Sequence, residues 1–178
     1  GLVEAGAVFA TPFDAEAEDV EPVDADPTDA DPPDVPPTGP RLQVGTGSIM
    51  FEPLTSGQTI EISSGPQGGG RFNGFHIWSG ARIWELNPEA ISVTFTILLA
   101  SDRTELARLQ WITNFRPTAT DAYEIWGGTP RLSDCCLAVS QPLLMHVDVL
   151  DADGVTASGE IEVVGEDMCA ALMMSCCP

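Results

Sequence analysis

Two histidines, five cysteines and four tryptophans carry the widest chemical repertoire in this 178-residue chain. His76 lies in Phe75-His76-Ile77-Trp78. In an extended strand His76 and Trp78 share one face and Phe75 and Ile77 the other, which makes His76 and Trp78 candidates for a surface recognition patch. The plainer reading is a structural histidine whose ring nitrogens bond to backbone groups. His146, between Met145 and Val147, has the same two readings. The histidines are distant in sequence, no Gly-x-Ser-x-Gly elbow accompanies them, and neither can be placed beside a cysteine to generate a thiolate. Ser133-Asp134-Cys135 has no indicated base, and Glu160 and Glu162 read as a solvated strand face. The expectation is a chain that is not an enzyme, with no catalytic residue and no cofactor.

Cys135-Cys136 and Cys176-Cys177 are adjacent pairs, with Cys169 between them. Neighbours in an extended chain point to opposite faces, so each pair reaches distant partners more easily than it closes on itself. Two bridges between Cys135-Cys136 and the tail that holds Cys169, Cys176 and Cys177 are expected, with the connectivity and the odd thiol left open. A rival use is soft-metal binding, because Met168, Cys169, Met173, Met174, Cys176 and Cys177 cluster sulfur that suits Cu(I). His76 and His146 are weaker metal candidates. Asp151 and Asp153 in Asp151-Ala152-Asp153-Gly154 could gather calcium, although a hairpin turn explains them as well. Trp78, Trp84, Trp111 and Trp126 fill a core or, if two share an exposed sheet, form a platform for sugar or protein.

The elements that must position these residues follow from composition and period. The chain has 27 acidic residues against 7 basic ones, a net charge of −20, which opposes any grip on nucleic acid. Residues 1–40 hold eleven acids, eight prolines and no basic residue, so they read as an acidic, proline-rich arm that spaces the domain from whatever it is attached to. The more apolar start, Gly1 to Phe13, is a terminus that could pack on a partner. Residues 41–164 alternate with period two and are expected to form one all-β sandwich domain, with strands over 42–51, 58–64, 72–78, 91–99, 106–115, 122–126, 143–150 and 155–164. Glu105 to Gln110 has a competing reading as a short helix. Residues 165–178 form a Cys/Met-rich tail, tethered by disulfides or folded as a short helix.

Gly45-Thr46-Gly47, Phe51-Glu52-Pro53-Leu54, Gly57, Gly65-Pro66-Gln67-Gly68-Gly69, His76 and the run Asp151 to Ala157 resemble uncharacterised bacterial envelope proteins of the lipoprotein type. Those carry a single immunoglobulin-like sandwich after an acidic low-complexity linker. The interval from Gly70 to Phe75 is longer here than in that pattern. The resemblance implies an immunoglobulin- or fibronectin-like sandwich of about 7–9 antiparallel strands. It also implies an exported location, in the periplasm, at the outer-membrane surface or outside the cell. Membrane contact would come only through a lost lipid anchor. The function expected is a structural or adhesive subunit that contacts other proteins in an envelope assembly, with self-association through the arm as one route. The alternatives are a copper, calcium or small-ligand carrier and a carbohydrate-binding module.

Overall fold

A computed structural model describes residues 38–65 and 74–167. All of them lie in the second of two units into which the chain divides, Gly1–Pro36 and Pro37–Pro178. The described chain is all-β. Eleven strands run in order: β1 (Arg41–Thr46), β2 (Glu52–Pro53), β3 (Gln58–Gly65), β4 (Gly74–Ile77), β5 (Ser79–Trp84), β6 (Ile91–Leu99), β7 (Glu105–Thr113), β8 (Arg116–Pro117), β9 (Tyr123–Gly128), β10 (Pro142–Leu150) and β11 (Thr156–Asp167). One turn of 3₁₀ helix, Cys136–Ala138, interrupts them.

The strands form two sheets, one ordered β2-β1-β5-β9-β8 and the other β4-β3-β11-β10-β6-β7. Neighbours are antiparallel except β3 and β11, which pair in parallel with Ile60 opposite Gly165. The period-two pattern dictates which side chains meet between the sheets. Val44, Ala81 and Ile83 from the five-stranded sheet and Ile62, Val93, Phe95, Ile97, Met145, Val147 and Val163 from the six-stranded sheet are all buried in one core. Two glycines set the separation of the layers. A Cβ on Gly128 would lie 3.1 Å from Trp111 and 3.2 Å from Phe95, and one on Gly159 would lie 2.8 Å from Leu42. Each leaves room for a large side chain from the opposite sheet.

Several strand expectations are corrected. The run from Leu42 to Phe51 is not one strand: β1 stops at Thr46, and Gly47 at φ 115° turns the chain back into β2. The run expected to end at Trp78 ends as β4 at Ile77, and a further strand, β5, follows after the single residue Trp78. Glu105 to Gln110 is strand rather than helix, because its apolar side chains meet β6 at the core rather than at helical spacing. The strand expected over 122–126 runs as β9 from Tyr123 through Gly127 and Gly128. Gly165 to Asp167 continues β11 alongside β3, so the sandwich extends three residues beyond the expected boundary. Residues 168–178, where the short helix was expected, lie outside the described residues.

The Asp151 to Gly154 turn joins β10 to β11 as its sequence implies. The Asp151 N–H donates to the Val155 carbonyl at 3.0 Å, and Gly154 takes φ 82°. That φ is open to glycine at little cost.

Candidate functional site

His76 projects from β4 opposite Ser63 of β3, on the face away from the neighbouring core pair Ile77 and Ile62. It is nevertheless only 2% exposed. The Trp78 ring meets it edge-on at 4.8 Å, and a Cβ on Gly65 would lie 2.9 Å from its Cε1. Both ring nitrogens are buried without a hydrogen-bond partner. The recognition patch expected around His76 is therefore corrected: its ring is sealed from solvent, and only the half-buried Trp78 reaches the surface.

Burial pushes the His76 imidazole below the usual histidine range, with Glu61 pulling it weakly back. The unfolded chain gains a proton on this ring as pH falls through about 6.5, while the folded chain resists protonation until a lower pH. Folding is therefore destabilised progressively over that interval on acidification. His76→Leu removes the group, so its thermal midpoint should fall less than the wild type's between about pH 7.5 and about pH 5. An equal fall in both proteins would show that His76 is not the acid-sensitive group.

His146 sits on β10 on the outer face of the six-stranded sheet. Its Nε2 is 3.1 Å from Asp148 Oδ2, and its Nδ1 is 3.2 Å from Glu160 Oε2 but off the line a hydrogen bond needs. Glu160 accepts two hydrogen bonds from Arg103, at 3.1 and 2.6 Å. The Arg103 bonds, aided by the charges of Arg103 and His146, hold the Glu160 carboxyl below the usual carboxylate range. His146 is thus placed in a surface polar cluster with Asp148, Glu160 and Arg103. It is not brought to His76: β3 and β11 lie between their strands, a separation of roughly 14 Å at about 4.8 Å per strand.

Asp151 spends most of its acceptor capacity on backbone N–H groups of its own turn and of the loop before β6. Its Oδ1 accepts the N–H groups of Asp153 and Val155 at 2.9 and 2.8 Å, and its Oδ2 accepts that of Asn87 at 3.0 Å. The Asn87 bond leads the group of backbone bonds that hold its carboxyl below the ordinary range. Asp153 accepts from the Asn87 side chain at 3.1 Å. The pair therefore clamps the β10–β11 turn to the loop before β6, and no group of three metal-binding side chains occurs among the described residues. Cys135 and Cys136 begin the 3₁₀ turn and are both disulfide-bonded. Cys169, Cys176 and Cys177 lie outside the described residues.

The four tryptophans do not gather into a platform. Trp111 packs on Phe95 at 5.6 Å, Trp78 on His76, Trp84 beneath Arg41 at 5.0 Å and Trp126 beneath Arg116 at 4.5 Å. With Arg82 over Phe51 at 4.7 Å, the outer face of the five-stranded sheet is a ladder of arginines on aromatic rings. Each such contact contributes about 0.5–1 kcal/mol at an exposed site.

The sequence reading missed a shallow groove of ≈550 Å³ on the outer face of the six-stranded sheet, where Ser92, Thr94, Gln110, Asp148, Thr156 and Ser158 present polar groups. Those residues stand in register across four strands: Thr94 faces Gln110 on one side and Asp148 on the other, and Asp148 faces Ser158. The signal was present as the polar half of the alternation, but it became a site only once the strand order was known.

No family model matches the chain, and no curated protein matches it. Among solved structures it is similar to CopC from Methylosinus trichosporium OB3b, with 15% identity, covering 64% of this chain and 87% of that one, at a TM-score of 0.33. No function transfers at that similarity. Among the described residues no helix is long and apolar enough to cross a membrane.

Proposed function

We propose that this chain is a non-catalytic, exported β-sandwich that serves as a structural or adhesive subunit of the cell envelope and acts through contacts with proteins. The observation that carries this reading is where the large apolar side chains outside the core are held. Ile49 and Met50 are 80% and 61% exposed in the β1–β2 loop, and Ile112 is 73% exposed on β7, the long strand at one sheet edge. Exposed apolar groups at loop tips and sheet edges suit association rather than turnover. The oxidised state of Cys135 and Cys136 favours export, because disulfides persist in oxidising compartments. Their partners in this reading are cysteines of the tail, which fastens residues 168–178 to the sandwich.

The immunoglobulin-like assignment belongs to the same proposal, and strand order supports it. The series β1, β5, β9, β8 corresponds to A, B, E, D of that plan, and β11, β10, β6, β7 to G, F, C, C′. An acidic, proline-rich arm ahead of such a domain fits the envelope lipoproteins that the sequence resembles.

Cross-linking in the native cells followed by fractionation tests the reading. The chain should be recovered from the envelope or extracellular fraction in covalent adducts with proteins of that compartment. Recovery as an unadducted cytosolic chain would contradict the proposal. The carrier alternative is tested alongside it by thiol titration and metal analysis, since Cu(I) would occupy thiols that bridges have already consumed.

A further inference from the structure

Three of the chain's seven arginines, Arg41, Arg82 and Arg116, stand on the outer face of the five-stranded sheet, each with its guanidinium over an aromatic ring. The cross-strand register orders them: Gln43 of β1, Arg82 of β5, Glu124 of β9 and Arg116 of β8 form one row. Glu124 is bound to Arg82 at 2.6 Å, which leaves Arg41 and Arg116 without a carboxylate among the described residues. Stacking on Trp84 and Trp126 already restricts these two guanidinium groups, so less freedom is lost when their N–H forks meet an outside carboxylate. The exposed Ile49 and Met50 border the same face, because the Gly127 N–H donates to the Gly47 carbonyl at 3.0 Å and holds the β1–β2 loop beside β9. Arginine, aromatic residues and methionine are the types enriched where proteins meet.

The other layer carries the complementary charge. On the outer face of the six-stranded sheet Glu61 of β3 stands directly opposite Glu166 of β11, and Glu162 lies further back along β11. All three are exposed, and no described basic side chain forms an ion pair with any of them. Glu61 accepts the Ser63 hydroxyl at 2.6 Å, a bond that leaves its charge in place. Like charges directly opposite one another destabilise a sheet, so a guanidinium brought between Glu61 and Glu166 is attracted by both.

We infer that the arginine face of one copy, centred on Arg41, Arg82 and Arg116, docks on the Glu61 and Glu166 margin of a second copy. Charge complementarity selects this partner: the unpaired arginines and the unpaired glutamates lie on opposite layers of one sandwich, where they cannot meet each other. The contact is therefore head-to-tail, and each added copy presents a fresh face to the next. A net charge of −20 does not forbid it, since at physiological ionic strength a Debye length of about 8 Å screens the distant acids while the contact pairs meet within it.

This inference rests on the contact-module reading and names both surfaces and the partner. The test follows sedimentation of the full-length chain over a concentration series at physiological salt. Wild type should form species larger than a pair. Arg41→Gln with Arg116→Gln, and separately Glu61→Gln with Glu166→Gln, should each raise the dissociation constant by at least about tenfold. Each of these proteins keeps one intact face, so an equimolar mixture should form one-to-one pairs and nothing larger. Pairing on mixing also shows that both are folded; if a double variant unfolds, Arg116→Gln and Glu166→Gln, each at an exposed position, carry the same comparison. A wild type that stays single at every concentration or stops at a pair, variants that associate as wild type does, or a mixture of folded variants that stays single would each overturn the inference. Those results would leave the contact-module reading standing, whereas recovery of the chain from cells without protein adducts would remove that reading itself.

Discussion

Phe95→Ala should remove a large part of the folding stability of the sandwich. Phe95 is 1% exposed at the middle of β6, flanked by β10 and β7, and its ring packs on Trp111 and into the space left by Gly128 of the opposite sheet. Truncation removes the contact that joins the layers, and the strand backbones around it are too well paired to close the void. Changes of this kind cost about 3–5 kcal/mol, against a total stability of about 5–15 kcal/mol for a typical domain. Chemical denaturation with an unchanged m-value would read the loss directly. A loss below about 1 kcal/mol would mean that the sheets do not meet at Phe95 as described.

The second large effect belongs to sulfur. With Cys135 and Cys136 both bridged to the tail as proposed, Cys135→Ser with Cys136→Ser should lower stability by about 2–4 kcal/mol per bridge lost, mainly because the unfolded chain regains freedom. Reductant should lower the wild-type thermal midpoint to that of the double variant and leave the variant's unchanged. The local structure gives the bridges something to hold. The 3₁₀ turn after Cys135 lies against β11: Val139 forms a bridge with Gly165, the Ser140 N–H donates to the Gly165 carbonyl at 2.8 Å, and a Cβ on Gly165 would stand 2.5 Å from the Ala138 carbonyl oxygen. Equal midpoints for oxidised, reduced and substituted protein would contradict this pairing.

Where the alternation was strong and bounded by turns, the fold was readable. In Gln58 to Ser64 the period placed Ile60 and Ile62 inward, and they are 5% and 0% exposed. In Asp151 to Gly154 the residue types specified the hairpin. The passage from β4 to β5 was not readable for a physical reason. Phe75, Ile77, Ser79, Ala81 and Ile83 continue one unbroken period of two, yet Ile77 belongs to one sheet and Ala81 to the other. A local pattern distinguishes inside from outside, but it does not say which layer is being lined. The chain changes layers at Trp78, whose carbonyl accepts a 2.7 Å hydrogen bond from the Thr46 hydroxyl of β1.

The candidate site was legible to a similar depth. Parity correctly set His76 opposite to Ile77, but its burial depends on what covers the outer face, which sequence spacing does not encode. Asp151 was legible as a turn residue, whereas the engagement of both its oxygens depends on Asn87, brought in from the loop before β6. His146 and Glu160 were each noticed separately. Their meeting required the β10–β11 register, in which they are direct cross-strand partners.

We propose an oxidised, exported sandwich whose tail is bolted to its body and which works through contact. A peptide map of chain taken from its native cells, alkylated at harvest and digested without reduction, tests it most directly. Cys135 and Cys136 should appear in disulfide-linked peptides with the segment holding Cys169, Cys176 and Cys177, recovered from outside the cytoplasm. Alkylated, free Cys135 and Cys136 in cytosolic material would contradict it.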